Sequence, residues 1–178
     1  SARYFHYYFS KYPHIIRHNR TSAAILNGEE TASELAALAD DIMLYFGLGC
    51  RNVTKIYVPV NYDFQPLLSA LEKYNYLLDH HKYKNNYDYN LALLMLNSAK
   101  FQTNDNLLLH ENESVFSPLS VLHYSVYRNR AELEGELAGN PDLQCIVAAD
   151  RIPFGQAQAP RLSDYADGVD TPAFFAAL

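Results

Sequence analysis

The sequence has little of what several protein classes require. No basic run followed by an apolar stretch opens it, so it carries no secretory-signal pattern. The longest purely apolar stretch near the middle, residues 91–96, is far too short to cross a bilayer. Basic residues are scarce: 14 Lys and Arg stand against 20 Asp and Glu, a net charge of −6. That balance argues against nucleic acid as a partner, because such binding rests on clustered cations. There are only two cysteines, Cys50 and Cys145. With no Cys-x-x-Cys pair and no histidine at ligand spacing to either, a structural metal site is not expected. Seven glycines and eight prolines in 178 residues exclude collagen-like and low-complexity chains. An initiator Met is also missing. The chain opens on an aromatic-rich segment, Tyr4-Phe5-His6-Tyr7-Tyr8-Phe9, and reads as part of something longer. A non-membrane, cytoplasmic protein is the expectation.

What remains is a chain 49% apolar and 19% charged, enough for a real core. Residues 2–12 can form a helix that Pro13 stops. The buried run 22–26 reads as a strand closed by Asn27-Gly28. Thr31-Ala32-Ser33-Glu34 matches the capping box, and Leu35, Leu38, Ile42 and Tyr45 recur at helical spacing behind it. This helix should reach about Phe46 and end at Gly47, with Cys50 in the turn beyond it. A strand over 54–58 follows, then a helix capped by Asp63 with Leu67, Leu68, Leu71 and Tyr74 on one face. Residues 80–90 show no period, and a solvated loop is expected there. Residues 91–96 return as helix. Further strands are expected over 107–109, 119–124 and 143–148, with a helix over 131–137, a turn over 164–168 and a helical turn over 172–178. Strands alternating with helices predict a single three-layer α/β domain with a mainly parallel sheet.

Three segments carry candidate chemistry. Gly47-Leu48-Gly49-Cys50 places a thiol outside its helix among glycines, where another backbone can approach closely. Glu113-Ser114-Val115-Phe116-Ser117-Pro118 combines a carboxylate with an aromatic ring. Ile152-Pro153-Phe154-Gly155-Gln156 is a third. Cys145, inside an apolar run, is expected to be a small buried side chain. Arg51 is a candidate to stabilise a Cys50 thiolate, or else a solvent-facing charge.

In order and approximate spacing these segments resemble the catalytic domain of the aldehyde dehydrogenase superfamily. That superfamily writes its nucleophile turn Gly-Gln-x-Cys, and its later motifs Glu-Glu-x-Phe-Gly-Pro and Pro-Phe-Gly-Gly. Asn61-Tyr62-Asp63-Phe64 resembles the helix start that follows the nucleophile's strand there. Arg20-Thr21-Ser22-Ala23 lies where the superfamily has the tail of its Glu-Leu-Gly-Gly-Lys motif. Gly-Leu-Gly-Cys-Arg-Asn and Pro-Phe-Gly-Gln-Ala-Gln are similar to the long-chain acyl-CoA reductase family, which includes the fatty-acid reductase component of bacterial bioluminescence. The resemblance covers about residues 15–178.

The resemblance implies Cys50 as acyl-accepting nucleophile and Glu113, Ser114 and Phe116 as nicotinamide-cofactor contacts. It implies Phe154, Gly155 and Gln156 along an acyl channel. It also implies NADPH and acyl-CoA as cofactor and substrate, no metal, and an N-terminal dinucleotide-binding domain that this chain lacks. The absence of any Gly-x-Gly-x-x-Gly agrees with that lack. The isolated chain is then expected to be inactive, and a second copy is a candidate partner. Two departures matter. The family's general-base Glu falls at Ile16, which cannot take a proton, and its ribose-binding Glu falls at Ser114. His18 is a candidate substitute base, and His80, His81, Lys82 and Lys84 are candidates to meet coenzyme A phosphates. Reduction of a fatty acyl thioester to aldehyde is the leading expectation. Aldehyde oxidation to acid, and a non-catalytic interaction domain, stay open beside it.

Overall fold

A computed structural model describes residues 2–178. The chain runs α1 (Ala2–Phe9), β1 (Thr21–Ile25), α2 (Ala32–Met43), β2 (Val53–Pro59), α3 (Gln65–Leu71), α4 (His81–Leu96), β3 (Phe101–Thr103), β4 (Leu108–Glu111), β5 (Val121–Tyr127), α5 (Arg130–Leu137), β6 (Leu143–Val147) and α6 (Thr171–Ala176). Six strands form one sheet in the order β3-β4-β5-β2-β1-β6. Every neighbouring pair is parallel except β3 and β4. Parallel neighbours cannot be joined by a tight hairpin, so longer crossovers, several of them helical, connect them. The α/β class and the mainly parallel sheet are as the sequence predicts.

The strands read as near-continuous apolar runs because both faces are covered. On the first face α2 lays Leu35, Leu38, Ala39 and Ile42, and α3 lays Leu67, Leu68 and Leu71, against Ala24, Leu26, Ile56, Val58 and Leu122. Each fully buried Leu contributes roughly 1.5–3 kcal/mol. The second face has a thinner cover, in which Leu133 and Leu137 of α5 meet Ala23, Ile25, Tyr57 and Leu143. The α2 capping box forms as its sequence requires: Thr31 Oγ1 accepts from Glu34 N at 3.2 Å, and Glu34 Oε2 accepts from Thr31 N at 2.8 Å.

Residues 80–90 correct the expected loop. They open the sixteen-residue helix α4. Tyr83, Tyr87 and Asn90, spaced four and three apart, are its buried stripe. The stripe is polar at its tips, and each tip finds a partner. Tyr83 Oη donates to Asn106 O at 2.9 Å and Asn90 Nδ2 to Leu119 O at 2.9 Å, while the Tyr87 hydroxyl meets Thr103 Oγ1 at 3.0 Å. A hydropathy period cannot register tyrosines used this way. Helix α1 stops at Phe9 rather than residue 12, and no described helix is long and apolar enough to cross a membrane.

Candidate active site

Cys50 is exposed, in the turn between α2 and β2. The expected helix to Phe46 instead ends at Met43, because Tyr45 and Phe46 adopt left-handed backbone at φ 55° and 61°. Such conformers cost on the order of 1–2 kcal/mol per non-glycine residue. Phe46 is held there by edge-on packing against His80, with ring centroids 5.0 Å apart. Gly47 continues the reversal at φ 71°. The chain is then caught by Asn52, which is fully buried. Its Nδ2 donates to Asp41 O (3.0 Å), Ile42 O (3.3 Å) and Leu44 O (2.8 Å), carbonyls that the end of α2 leaves free. Its Oδ1 accepts from Gly49 N at 2.8 Å. A Cβ on Gly49 would sit 2.9 Å from that same oxygen, so this position admits no side chain.

From below, Ser22 Oγ at the start of β1 donates to Cys50 O at 3.0 Å and meets Cys145 Sγ at 3.1 Å. Burial pushes the Cys145 thiol up, against the Ser22 hydrogen bond that favours the thiolate. Cys145 is thus a partly buried structural thiol, and the exposed Cys50 is the reactive candidate.

The structure tethers the 112–115 segment to β2 and β5. Three sheet side chains hold three carbonyls of this loop. Lys55 Nζ donates to Asn112 O, His123 Nδ1 lies 3.0 Å from Ser114 O, and Thr54 Oγ1 donates to Val115 O at 2.6 Å. Lys55 is fully buried, and burial pushes its ammonium down to about 8 against the pull of Glu113 and Glu111. Burial likewise lowers His123. Glu113 and the ring of Phe116, 39% exposed, face outward. Ser114 Oγ is turned inward to its own loop, donating to Phe116 O at 2.9 Å.

In the 153–157 loop, Phe154 packs into the main core and borders a small cavity with Ser33, Glu34 and Ala37. Gly155 packs on α2, where a Cβ would come within 2.9 Å of Ala37 Cβ. Asp41, fully buried on α2, holds this loop by accepting from Gly155 N at 2.6 Å and Ala157 N at 3.0 Å. Burial raises its carboxyl to about 6, opposed by those two amides. Arg51 Nε donates to Ala157 O from the other side. Gln156 alone of the three expected residues lines a cavity beside Arg51.

Ile16 lies instead in a small apolar groove with Phe5, Phe9 and Tyr12 of the N-terminal region. His18 is exposed and lies at 3.0 Å from Asn19 O. His80 packs on Phe46, and Lys84 pairs with Asp88, so the His80 to Lys84 group forms no phosphate cluster. Among the described residues no group of three or more His, Cys, Asp or Glu side chains is placed to hold a metal ion. Asn52, Asp41 and Lys55 are the positioning residues that sequence reasoning missed. Asn52 follows the motif by two positions, and a buried Lys or Asp in an apolar run was the available signal.

No protein-family model matches the sequence, and no curated protein matches it. Solved structures are similar in fold. An indole-3-acetaldehyde dehydrogenase in complex with NAD+ superposes with a TM-score of 0.53 at 13% identity, covering 82% of this chain and 37% of that one. The aldehyde dehydrogenase KauB from Pseudomonas aeruginosa gives 0.49 at 12% identity over 72% of this chain and 37% of that one. The first similarity defines the fold class as one shared with aldehyde dehydrogenases. The chain spans a little over a third of the length of each.

Proposed function

We propose that this domain is the acyl-accepting part of a nicotinamide-dependent acyl-CoA reductase, with Cys50 as its nucleophile. The observation that supports the reading is the Cys50 turn: an exposed thiol on a backbone pinned by Asn52 and Ser22, with the Glu113–Phe116 loop tied to Thr54 of the strand that follows. Acyl transfer needs a fixed nucleophile and an open approach to it. The Cys50 thiolate attacks the thioester carbonyl, the carbon–sulfur bond to coenzyme A breaks, and the departing thiolate takes a proton from water. The S-acyl group stays on Cys50. Its reduction gives a thiohemiacetal on the same sulfur, which collapses to aldehyde and restores the thiolate.

The cofactor supplies the hydride when bound. Glu113 and the half-exposed Phe116 ring suit it chemically, as an acceptor for a ribose hydroxyl and a flat apolar surface. Ser114, with its hydroxyl engaged in its own loop, does not suit a ribose contact. The dinucleotide's phosphates would need a further domain, since this sequence has no phosphate-cradling glycine loop. The reading takes reduction rather than oxidation to acid because Ser22 and Asn52, the side chains bonded to the turn, are not general bases. Intact-mass spectrometry after incubation with an acyl-CoA, or with an activated ester, tests the assignment. One acyl group on Cys50, absent from Cys50→Ser, is expected. Acylation confined to Cys145 would refute it.

A further inference from the structure

A cavity of about 670 Å³ opens at the β6 edge of the sheet, and a second of about 580 Å³ adjoins it through Arg51, Arg151, Ile152 and Asp164. Their walls are unusual for a chain of net charge −6. Arg20, Arg51, Arg151 and Arg161 line the pair, against a single lining carboxylate, Asp164. Arg51 is engaged with Ala157 O, but the other three guanidinium groups are poorly answered within the chain. The buried Nε of Arg20 has no hydrogen-bond partner among the described residues, and its nearest carboxylate, Asp167, is 3.8 Å away. Arg151 reaches Glu134 only at 3.6 Å. Arg161 makes no side-chain hydrogen bond or ion pair with any described residue. A guanidinium carries five donors in a rigid fork that suits phosphate oxygens, and leaving such donors unmet in a partly enclosed site is costly.

The remaining wall mixes apolar Leu137, Leu143, Ile146 and Ile152 with polar Asn140, Gln144, Ser163 and Tyr165. A fitting ligand therefore carries several negative charges together with a flat part that can also hydrogen-bond. The cavity also ends close to the nucleophile. Cys145 lines it, Ser22 bridges Cys145 Sγ to Cys50 O, and Arg51 is the residue after Cys50. Glu113, Ser114 and Phe116 line neither cavity.

Resting on the function proposed above, we infer that this arginine groove binds the phosphorylated adenosine end of coenzyme A and delivers its thioester to Cys50. A phosphorylated nicotinamide dinucleotide offers similar groups, so the test must separate the two. Isothermal titration of the 178-residue chain with coenzyme A, 3′-dephospho-coenzyme A, NADPH and inorganic phosphate does so. The variants are Arg151→Gln/Arg161→Gln and, as a remote control, Lys100→Gln. Saturable coenzyme A binding is expected, weaker without the 3′-phosphate. In the arginine pair it should weaken about 100-fold, roughly tenfold for each guanidinium–phosphate bond removed. The lysine control should bind like the parent. Absence of saturable coenzyme A binding would overturn the inference. So would unchanged affinity in the arginine pair, or tighter NADPH binding that competes at the same site. Circular dichroism checks folding, and Arg161→Gln alone decides the matter should the pair unfold. The two readings fail separately. Acylation of Cys50 by a phosphate-free ester with no coenzyme A binding sinks the groove alone; arginine-dependent binding with no acylation sinks the nucleophile alone.

Discussion

Asn52→Ala should both unfasten the Cys50 turn and destabilise the whole domain. The side chain is fully buried, with its Nδ2 turned to three α2-end carbonyls and its Oδ1 accepting from Gly49 N–H. An amide nitrogen has only two hydrogens, so the three carbonyls share two good bonds. Truncation orphans the Gly49 amide and at least one carbonyl. At roughly 1–3 kcal/mol for each buried group left unpaired, the loss is about 2–6 kcal/mol. For a domain of this size each kcal/mol moves the midpoint by about 2–4 °C, so a loss near 3 kcal/mol lowers Tm by about 6–12 °C. Differential scanning calorimetry measures it. Asn52→Asp keeps the acceptor but sets a second carboxylate oxygen against the three carbonyls, and at neutral pH should be no more stable than the alanine variant. Thiol titration with an aromatic disulfide below the transition should also show Cys50 reacting at an altered rate in Asn52→Ala while Cys145 does not. A Tm within about 2 °C of the parent, equivalent to less than about 1 kcal/mol, would refute the view that Asn52 holds the turn.

Two further outcomes follow from the same corner of the fold. The Asp41 carboxyl is raised by burial from 3.8 to about 6, so the folded state holds its proton more tightly than the unfolded chain. Its contribution to stability is therefore full below about pH 4 and is lost as pH rises through about 6. The stability of the parent relative to Asp41→Asn, followed by urea unfolding, should fall across that window; a difference that grows with pH would contradict the assignment. Gly155→Ala should cost about 2–4 kcal/mol, from φ +83° together with a Cβ 2.9 Å from Ala37 Cβ, read as a lower urea midpoint at unchanged slope.

The sequence carried its clearest messages where a local pattern had a single physical meaning. Thr31 and Glu34 are a capping box wherever they fall, and the apolar strand runs imply a sheet covered on both faces. The glycines around Cys50 likewise marked a turn. Residues 80–90 stayed opaque because their helix buries Tyr83, Tyr87 and Asn90, whose polar tips reach carbonyls and hydroxyls far along the chain. Asn52 and Lys55 were illegible for the same reason: a buried polar side chain declares itself only through partners that folding brings to it. Phe154 shows how a motif can hide a packing role: it joins Leu35 and Leu38 of α2 in the core and also borders a small cavity.

The last turn of α2 joins two parts of the chain that are far apart in sequence. Asp41 faces the 155–157 loop, and the carbonyls of Asp41 and Ile42 face Asn52, so the nucleophile turn and that loop hang from one helical turn. One residue inserted into α2 ahead of Asp41 would swing its carboxylate about 100° around the helix axis and advance it about 1.5 Å. Both attachments would then miss together. The loop at 97–100 carries no such double duty, so length variation among related chains should gather there, while the twelve residues of α2 keep their number.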